Sequence, residues 1–502
     1  MHSRRYIDDL IALLAGGLTT LAFAPFGLWP LALVGPGLLF HLWLKRGRDG
    51  FRPGLLYGLG LMGSGVTWLY VSISQFGDIG WLLPVLITAV FVLIIALYYG
   101  LAGWLVGRFQ SSPRLKLAAV FPAVWVLVEW LRGWLFTGFP WLQLGYVMID
   151  TPLAGYAPLL GALGVSFMTV LSSGLLLLLL EAGRVRLYAA VGLLLIWGGG
   201  WGLLQIAWSQ PTGEPLKVAL IQGNIPQHKK WEVEQLLPTL TLYATRTKEH
   251  FGDDLILWPE TAVSAFEYQV DEPFLQPLEQ ALQRHGSQLV FGVVQLDPDG
   301  KRYYNAMVAM GDQRDHYRKR HLVPFTEYLP FKSVLSPLVD FFTIPMSDFT
   351  PGSKAKPLMQ VGQYKVGMSI CYEDAFGTES IQAMPEAAYL INASNDAWFG
   401  DSLAPHQHLQ IARMRALETD RYLLRATNTG ISAVIGPKGE LLDTAPLLQE
   451  AVVETRIQPL SGSTPYGRLG NLPILGLLVL TLVIGFPCGH ARFQRSCSTS
   501  RA

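Results

Sequence analysis

Between Leu10 and Trp208 the chain is a succession of apolar runs, and this pattern limits the fold more than any single motif does. Each run is roughly 20 residues long, enough for a helix to cross a hydrocarbon core about 30 Å thick, where every backbone N–H and C=O must be satisfied inside the element. The pattern predicts helices near 8–24, 27–44, 54–74, 80–107, 115–136, 162–181 and 187–208. A further one runs from Leu472 to Pro487. The first fold expectation is therefore a multi-span α-helical membrane domain of about eight transmembrane helices. Composition agrees: 51% of residues are hydrophobic and only 15% charged, too apolar for an ordinary soluble enzyme.

Loop charges set an orientation. Arg4 and Arg5 precede the first run, "KRGRDGFR" follows the second, "RFQSSPRLK" the fourth and "EAGRVR" the sixth, whereas the alternate loops carry almost no Lys or Arg. By the positive-inside rule the amino terminus is cytoplasmic, and seven crossings put the segment after Trp208 outside the cytoplasm. The first run lacks a clear small-residue cleavage site and is followed at once by another span, so it reads as an anchor and not a cleaved signal. The expected division is a transmembrane domain at 1–210, an extracytoplasmic domain at 211–470, and a last helix with a cytoplasmic tail at 471–502. A middle segment of roughly 260 residues can bury its own core.

That segment opens with "LKVALIQGN", and comparable apolar runs recur at "LILWPETA", "QLVFGVV", "YNAMVAM", "KVGMSICYED", "AAYLINASN" and "AVVETRI". Helical stretches such as "WEVEQLLPTLTLYATRTKEH" lie between some of them, which indicates an α/β layered domain with its site beyond strand ends. Three groups sit in such places: Glu260 after "LILWP", Lys319 in "HYRKRHLVPF" and Cys371 after "KVGMSI". Taken singly, each has a bland account. Cys371 could be a small buried hydrophobe, Glu260 a loop acid and Lys319 part of a solvated basic stretch.

Chemistry joins them. A cysteine attacks as thiolate and needs a base or a positive environment, which a buried carboxylate and a lysine supply. The ammonium, with the backbone N–H of Tyr372, can then stabilise the oxyanion formed when a carbonyl is attacked. Those parts suit acyl transfer through a thioester. The other cysteines, Cys488 and Cys497, lie in or after the last apolar run, so a disulfide framework is not expected. A net charge of +1 without a long basic stripe argues against nucleic acid, and no residue cluster calls for a metal or nucleotide cofactor.

"LWPETA", "YRKRHLVPFTE" and "GMSICYED", in that order and 50 to 60 residues apart, resemble the Glu-Lys-Cys triad of the nitrilase superfamily of carbon-nitrogen hydrolases. "NASNDAWFG" and "RATNTGISAVIGPKGE" resemble later segments of the family, and the flanking apolar runs are similar to its membrane-embedded branch, which acylates bacterial apolipoproteins. The resemblance implies an αββα sandwich, with Glu260 as general base, Lys319 as stabiliser of thiolate and oxyanion, and Cys371 as nucleophile. It further implies supporting roles for Glu327, Tyr372 and Glu373, and substrate binding at Trp231. Where that branch commonly has glycine, this chain has Thr326, whose β-branched side chain resists positive φ. The implied reaction is ping-pong: the sn-1 chain of a phospholipid, phosphatidylethanolamine, passes to Cys371 and then to the α-amine of an S-diacylglyceryl cysteine on an apolipoprotein. The implied setting is the bacterial inner membrane, with a monomer facing the periplasm. One rival is a membrane-anchored amide or nitrile hydrolase acting on a small soluble substrate. Another is a transporter or receptor whose outer domain binds without turnover, though spans with few ionisable residues speak against ion coupling.

Remaining polar motifs have modest expectations. Glu129 and Arg132, three apart in "VEWLRGW", are expected to form an interfacial pair whose long side chains snorkel. "FTGFPWLQLGY", with Trp141 and Tyr146, suits the bilayer interface and a role in lipid access. "NASNDAWFGDSLAPHQHLQ" reads as a loop leading into the helical stretch "PHQHLQIARMRALETDRYLLRAT"; its His406 and His408, two apart, point to different faces of a helix, which disfavours a metal site. Asn392 and Asn395 are expected to fix turns.

Overall fold

A computed structural model of the chain describes residues 2–76, 80–328 and 348–485. Cys488, Cys497 and the basic tail lie outside the described residues. The amino-terminal half is helical: α1 (His2–Thr20), α2 (Leu31–Arg46), α3 (Phe51–Gly65), α4 (Trp68–Phe76), α5 (Leu82–Val106), α6 (Phe121–Arg132), α7 (Ala157–Leu178) and α8 (Arg184–Leu203). Small residues let these helices touch at the backbone, as lipid-buried helices require in the absence of a hydrophobic drive between them. A Cβ built on Gly60 of α3 would lie 2.0 Å from the Leu13 carbonyl of α1, and one on Gly16 equally close to the Tyr57 carbonyl.

Among the described residues, three helical stretches are long and apolar enough to cross a membrane: α5, Pro152–Leu178 and α8. The α3–α4 pair, bent by 53°, makes a fourth if it counts as one span, and Leu472–Gly485 is apolar but shorter, at 14 residues. The expected count of about eight by apolar run length therefore exceeds what the helices meet one by one. Breaks and charges account for the difference. α2 has 16 residues and α6 has 12, while α1 carries Asp8 and Asp9, ion-paired with Lys45, Arg46 and Arg52.

The segment after the eighth helix forms strands β1 (Ser209–Pro211), β2 (Leu216–Gln222), β3 (Leu255–Leu257), β4 (Val263–Phe266), β5 (Gln288–Leu296), β6 (Tyr303–Met310), β7 (Asp315–Arg318), β8 (Leu358–Val361), β9 (Tyr364–Ile370), β10 (Leu390–Ser394), β11 (Leu423–Thr427), β12 (Ala433–Ile435), β13 (Leu441–Thr444), β14 (Ala451–Ile457) and β15 (Leu460–Gly462). One sheet runs β14-β2-β3-β5-β6-β7 with β4 beside β5, and the other β13-β12-β11-β10-β9-β8. In each, the central trio is parallel (β2, β3, β5 and β9, β10, β11) and the outer pairings are antiparallel. β1 and β15 pair separately.

Residue alternation builds four layers from these sheets. Val218, Leu220, Leu255, Leu257, Val290 and Met307 of the first sheet meet Met368, Ile370, Ile391, Ala393, Leu424 and Ala426 of the second in one core. Their neighbours Ile221, Ile256, Leu289 and Phe291 face outward onto helices α9 (Val233–Glu249) and α10 (Gln276–His285). On the far side Leu390, Leu423 and Ala433 cover Leu409, Ala412 and Ala416 of α11 (Leu403–Thr419). The result is the αββα sandwich that the resemblance implied.

Helix α11 is buried all round. Its opposite face, Ala404, Ile411, Met414 and Leu417, packs into the core of the amino-terminal helical half. Polar contacts tie the same junction: Gln407 Oε1 accepts from Trp68 and Trp141 Nε1 at 3.2 and 2.7 Å, and Glu418 Oε1 from the Ala162 N–H at 2.7 Å.

Two sequence expectations change here. Glu129 and Arg132, each 1% exposed, do not snorkel. Arg132 donates to the carbonyls of Phe139 (2.8 Å) and Trp141, and Glu129 accepts from Trp125 Nε1 (3.0 Å) and the Leu144 N–H (3.1 Å), so both hold the Phe136–Tyr146 segment in place. Trp141 and Tyr146 are likewise buried, wedged between the helices and α11, whereas Trp134 and Phe136 are the exposed aromatics. These bonds meet only part of each group's need, since Glu129 Oε2 and Arg132 Nε and Nη2 are buried without a hydrogen-bond partner among the described residues, and sequence spacing reveals neither the bonds nor the unmet atoms.

Because one whole face of α11 is covered by the amino-terminal helices, a chain cut to residues 211–470 exposes Ile411, Met414 and Leu417 to water. We expect that fragment, made without the amino-terminal helices, to aggregate or bind detergent; size-exclusion chromatography with and without detergent checks this.

Candidate active site

The three candidate groups come from three strand ends. Glu260 follows β3, Lys319 follows β7 and Cys371 follows β9. The Glu260 turn lies hard against β5: a Cβ on Gly292 would fall 2.3 Å from the Thr261 N–H nitrogen and 2.6 Å from the Pro259 carbonyl, so only glycine fits there. Lys230, fully buried, pins the same turn by donating to the Glu260 carbonyl at 3.2 Å and to Thr261 Oγ1 at 2.6 Å, and burial pulls its ammonium down to about 8.

Lys319 is 1% exposed and lies between two carboxylates, 3.4 Å from Glu260 Oε1 and 2.9 Å from Glu327 Oε2. Asn305 Nδ2 bridges the same two acids, donating to Glu260 Oε1 at 2.6 Å and Glu327 Oε1 at 3.1 Å. Burial opposes the lysine charge, but Glu327, Glu260 and Cys371 outweigh it and raise its pKa, so the ammonium is permanent. Glu327 also accepts from the Val323 N–H at 2.8 Å.

Cys371 is half-buried and free, and its φ of 51° is left-handed, a conformation that costs a non-glycine residue and persists only where its surroundings impose it. Burial and then the Glu260 charge push the thiol up, against the pull of Lys319. At neutral pH the resting group is therefore the thiol, and a base must remove its proton at the moment of attack.

The supporting residues divide. Glu373, buried, accepts from Tyr317 Oη (2.9 Å) and from the N–H groups of Ile370, Arg320 and His321 (2.7, 2.7 and 3.0 Å), locking the Lys319 loop onto the Cys371 turn; burial raises its pKa despite those donors. Tyr372 turns away and donates to the Gly138 carbonyl of the amino-terminal helical half at 3.0 Å. Trp231 is 40% exposed on the outside of the Lys230 turn. The positive φ in "VPFTE" falls on Phe325 (66°), not on Thr326, so the strain expected at Thr326 does not arise there.

Further corrections concern the floor of the site. Asn392 lies within β10 and not in a turn, whereas His408 falls in α11, the helix into which the sequence implied that its loop leads. Asn392 Nδ2 donates to Ser369 Oγ at 3.0 Å and to the Cys371 carbonyl at 3.4 Å, and Asn395 bonds Gln227 and Asn428. His408 sits between Asp374 and Asp396 with Arg425 behind them. Burial and Arg425 lower its pKa, but the two aspartates raise it further, to about 9. Sequence inspection missed Asn305, Lys230 and this cluster; the available signal was a polar residue breaking an apolar strand, as in "YNAMVAM" and "YLLRAT". Beside the nucleophile turn, where the two halves meet, a cavity of about 280 Å³ is lined in part by Trp130, Trp134, Tyr146, Phe376, Arg415 and Tyr466.

An αββα sandwich with an acid, a lysine and a cysteine at its strand ends defines a protein of carbon-nitrogen hydrolase class, here fused to a helical half. Residues 217–466 match the carbon-nitrogen hydrolase family, and residues 15–175 match the apolipoprotein N-acyltransferase N-terminal domain. Apolipoprotein N-acyltransferases of Methylococcus capsulatus, Nitrosomonas europaea and Coxiella burnetii are similar at 45%, 41% and 38% identity, covering 98%, 95% and 96% of this chain and 97%, 96% and 100% of theirs. The chain belongs to the apolipoprotein N-acyltransferase family.

The charge balance yields a test. Removing the Glu260 charge lowers the Cys371 pKa and removing Lys319 raises it, so iodoacetamide should alkylate Cys371 faster at pH 8 in Glu260→Gln and more slowly in Lys319→Met than in the unaltered protein. Mass spectrometry of the Cys371 peptide over time reads both rates.

Proposed function

We propose that this protein N-acylates the amino-terminal S-diacylglyceryl cysteine of apolipoproteins, using a membrane phospholipid, phosphatidylethanolamine, as acyl donor. The observation that carries the reading is the Glu260–Lys319–Cys371 group in a sandwich seated on helices through both faces of α11, with an aromatic cavity at the seam. A thiol placed there can meet two lipid-anchored substrates in turn.

In the first half-reaction Glu260 takes the Cys371 proton as sulfur attacks the sn-1 ester carbonyl. Lys319 and the Tyr372 N–H stabilise the oxyanion, the C–O bond breaks, and the departing lysophospholipid alkoxide receives the proton from Glu260. The thioester keeps the acyl chain. In the second half-reaction the α-amine attacks, Glu260 accepts the amine proton, and the thiolate leaves to be reprotonated, giving an amide. Lys319 stays charged throughout, which leaves Glu260 as the proton carrier. Glu327 and Asn305 hold Lys319 in register, Glu373 fixes its loop to the nucleophile turn, and Trp231 offers an exposed aromatic face to substrate.

The same reading gives the chain eight crossings of the bacterial inner membrane, with domains at 1–210, 211–470 and 471–502, a cytoplasmic amino terminus and the sandwich on the periplasmic side. It acts as a monomer. What supports this is the alternation of basic and uncharged loops and the broken helices, which span in pairs or with tilt.

Acyl-enzyme trapping tests the proposal. Purified protein in detergent, incubated with phospholipid carrying a tagged fatty acid, should acquire a hydroxylamine-labile adduct on Cys371 that passes to a diacylglyceryl-cysteine peptide as a stable amide. Cys371→Ala should form none, and Glu260→Gln should slow adduct formation by about 10²- to 10⁴-fold, the usual worth of a positioned base. Discharge of the adduct to water alone would instead mark an anchored hydrolase.

A further inference from the structure

The strained nucleophile rests on a buried charge cluster that the acyl-transfer steps above do not use. The Cys371 carbonyl points into the protein, where it accepts from Asn392 Nδ2 at 3.4 Å and lies 3.3 Å from His408 Nε2. His408 Nε2 is also 2.8 Å from Asp374 Oδ1, and His408 Nδ1 is 2.9 Å from Asp396 Oδ1. Both ring nitrogens therefore face acceptors. A neutral imidazole has one N–H and one lone pair, so one of these contacts would oppose a lone pair to a carboxylate; only the imidazolium satisfies all three. Arg425 completes the set, 3.2 Å from Asp374 Oδ2 and 3.0 Å from Asp396 Oδ2, and bonded to Asn392 Oδ1. Two aspartates against one imidazolium and one guanidinium give a neutral cluster, which is how buried charges are tolerated.

We propose that His408, as an imidazolium clamped by Asp374 and Asp396, is a positioning residue that together with Asn392 grips the Cys371 carbonyl and holds the nucleophile in its left-handed conformation. The inference rests on Cys371 being the nucleophile. Rotating the Cys371 peptide out of φ 51° would swing the thiol away from Glu260 and Lys319, and the carbonyl grip opposes that rotation. Asp374 sits three residues after Cys371 in the same turn, so the clamp fixes the turn at both its first residue and its fourth. The membrane half reaches the clamp as well: the Trp141 ring lies on His408 with centroids 5.5 Å apart. The groups facing His408 are thus Asp374 and the Cys371 carbonyl from the nucleophile turn, Asp396 after β10, Arg425 from β11 and the uncharged Trp141 ring.

The experiment measures single-turnover acylation of Cys371 by tagged phospholipid, across phospholipid concentration and pH, in the full-length protein. The unaltered protein must acquire the adduct; if it does not, the catalytic reading fails and not the clamp. Given that adduct, His408→Phe, which keeps a ring but no donor, should lower the limiting acylation rate by about 10²-fold, the cost of a misplaced reacting group, with little change in half-saturating phospholipid. His408→Gln retains one N–H toward the carbonyl and should recover a large part of the rate. A role in packing alone predicts the reverse order, and a loss confined to half-saturation predicts lipid binding; either result overturns the proposal. Should His408→Phe not fold, Asp396→Asn decides. With one carboxylate removed, the imidazolium gives up its proton sooner, so an alkaline fall in acylation rate that follows His408, whose two aspartates hold its pKa up at about 9, should move down by about one pH unit or more relative to the unaltered protein. An unmoved alkaline limb refutes the clamp.

Discussion

Helix α11 is buried on both faces, and the rest of the architecture depends on that. One side closes the second sheet through Leu409, Ala412 and Ala416, and the other enters the amino-terminal helical half through Ile411, Met414 and Leu417. Its polar residues Gln407, His408, Arg415 and Glu418 are buried as well and find partners in the surrounding structure, so both sides of the helix depend on what covers them. The consequence for chemistry is direct. Gln407 holds Trp68 and Trp141 from the amino-terminal helical half, and His408, one residue on, stands under Cys371. The candidate site is thereby fixed relative to the amino-terminal half by adjacent residues of one rigid element.

Charge in the site is arranged around a shortage of positive groups. Lys319 serves two acids, Glu260 and Glu327, in a place from which water is excluded. A further negative charge on Cys371 is disfavoured there, so the thiol stays protonated until a substrate carbonyl can accept the developing charge. This differs from a cysteine enzyme with a preformed thiolate. An enzyme that must keep an acyl chain from water and hand it to an amine gains from a nucleophile that is quiet between substrates.

The backbone contributes as much as the side chains. Left-handed residues occur at Thr261, next to Glu260, at Phe325 in the Glu327 loop and at Cys371 itself. All three sit at the turns that carry the candidate groups: Thr261 and Cys371 are held by the buried Lys230 and by Asn392 and His408, while Phe325, itself exposed, is tied by its N–H to the Tyr328 carbonyl. Strain of this kind is retained only where surrounding structure over-determines it.

Much of this was legible in the sequence because it depends on local repetition. Long apolar runs implied helices, short recurrent apolar runs with helical stretches between them implied strands of an α/β domain, and the order of "LWPETA", "YRKRH" and "GMSICYED" implied the three candidate groups by family resemblance. What only the tertiary structure decided concerns buried polar groups and their partners. Glu129 and Arg132 read as an interfacial pair yet brace a loop through backbone carbonyls and amides, because their partners lie on a turn whose path no periodicity describes. His408 lies in a stretch that read as helix, but its partners Asp374, Asp396 and Arg425 come from three other segments of the chain, which no helical pattern reveals. A hydrogen-bond requirement is a property of a residue and can be read from the sequence; which group meets it depends on long-range packing, and only the folded chain supplies that.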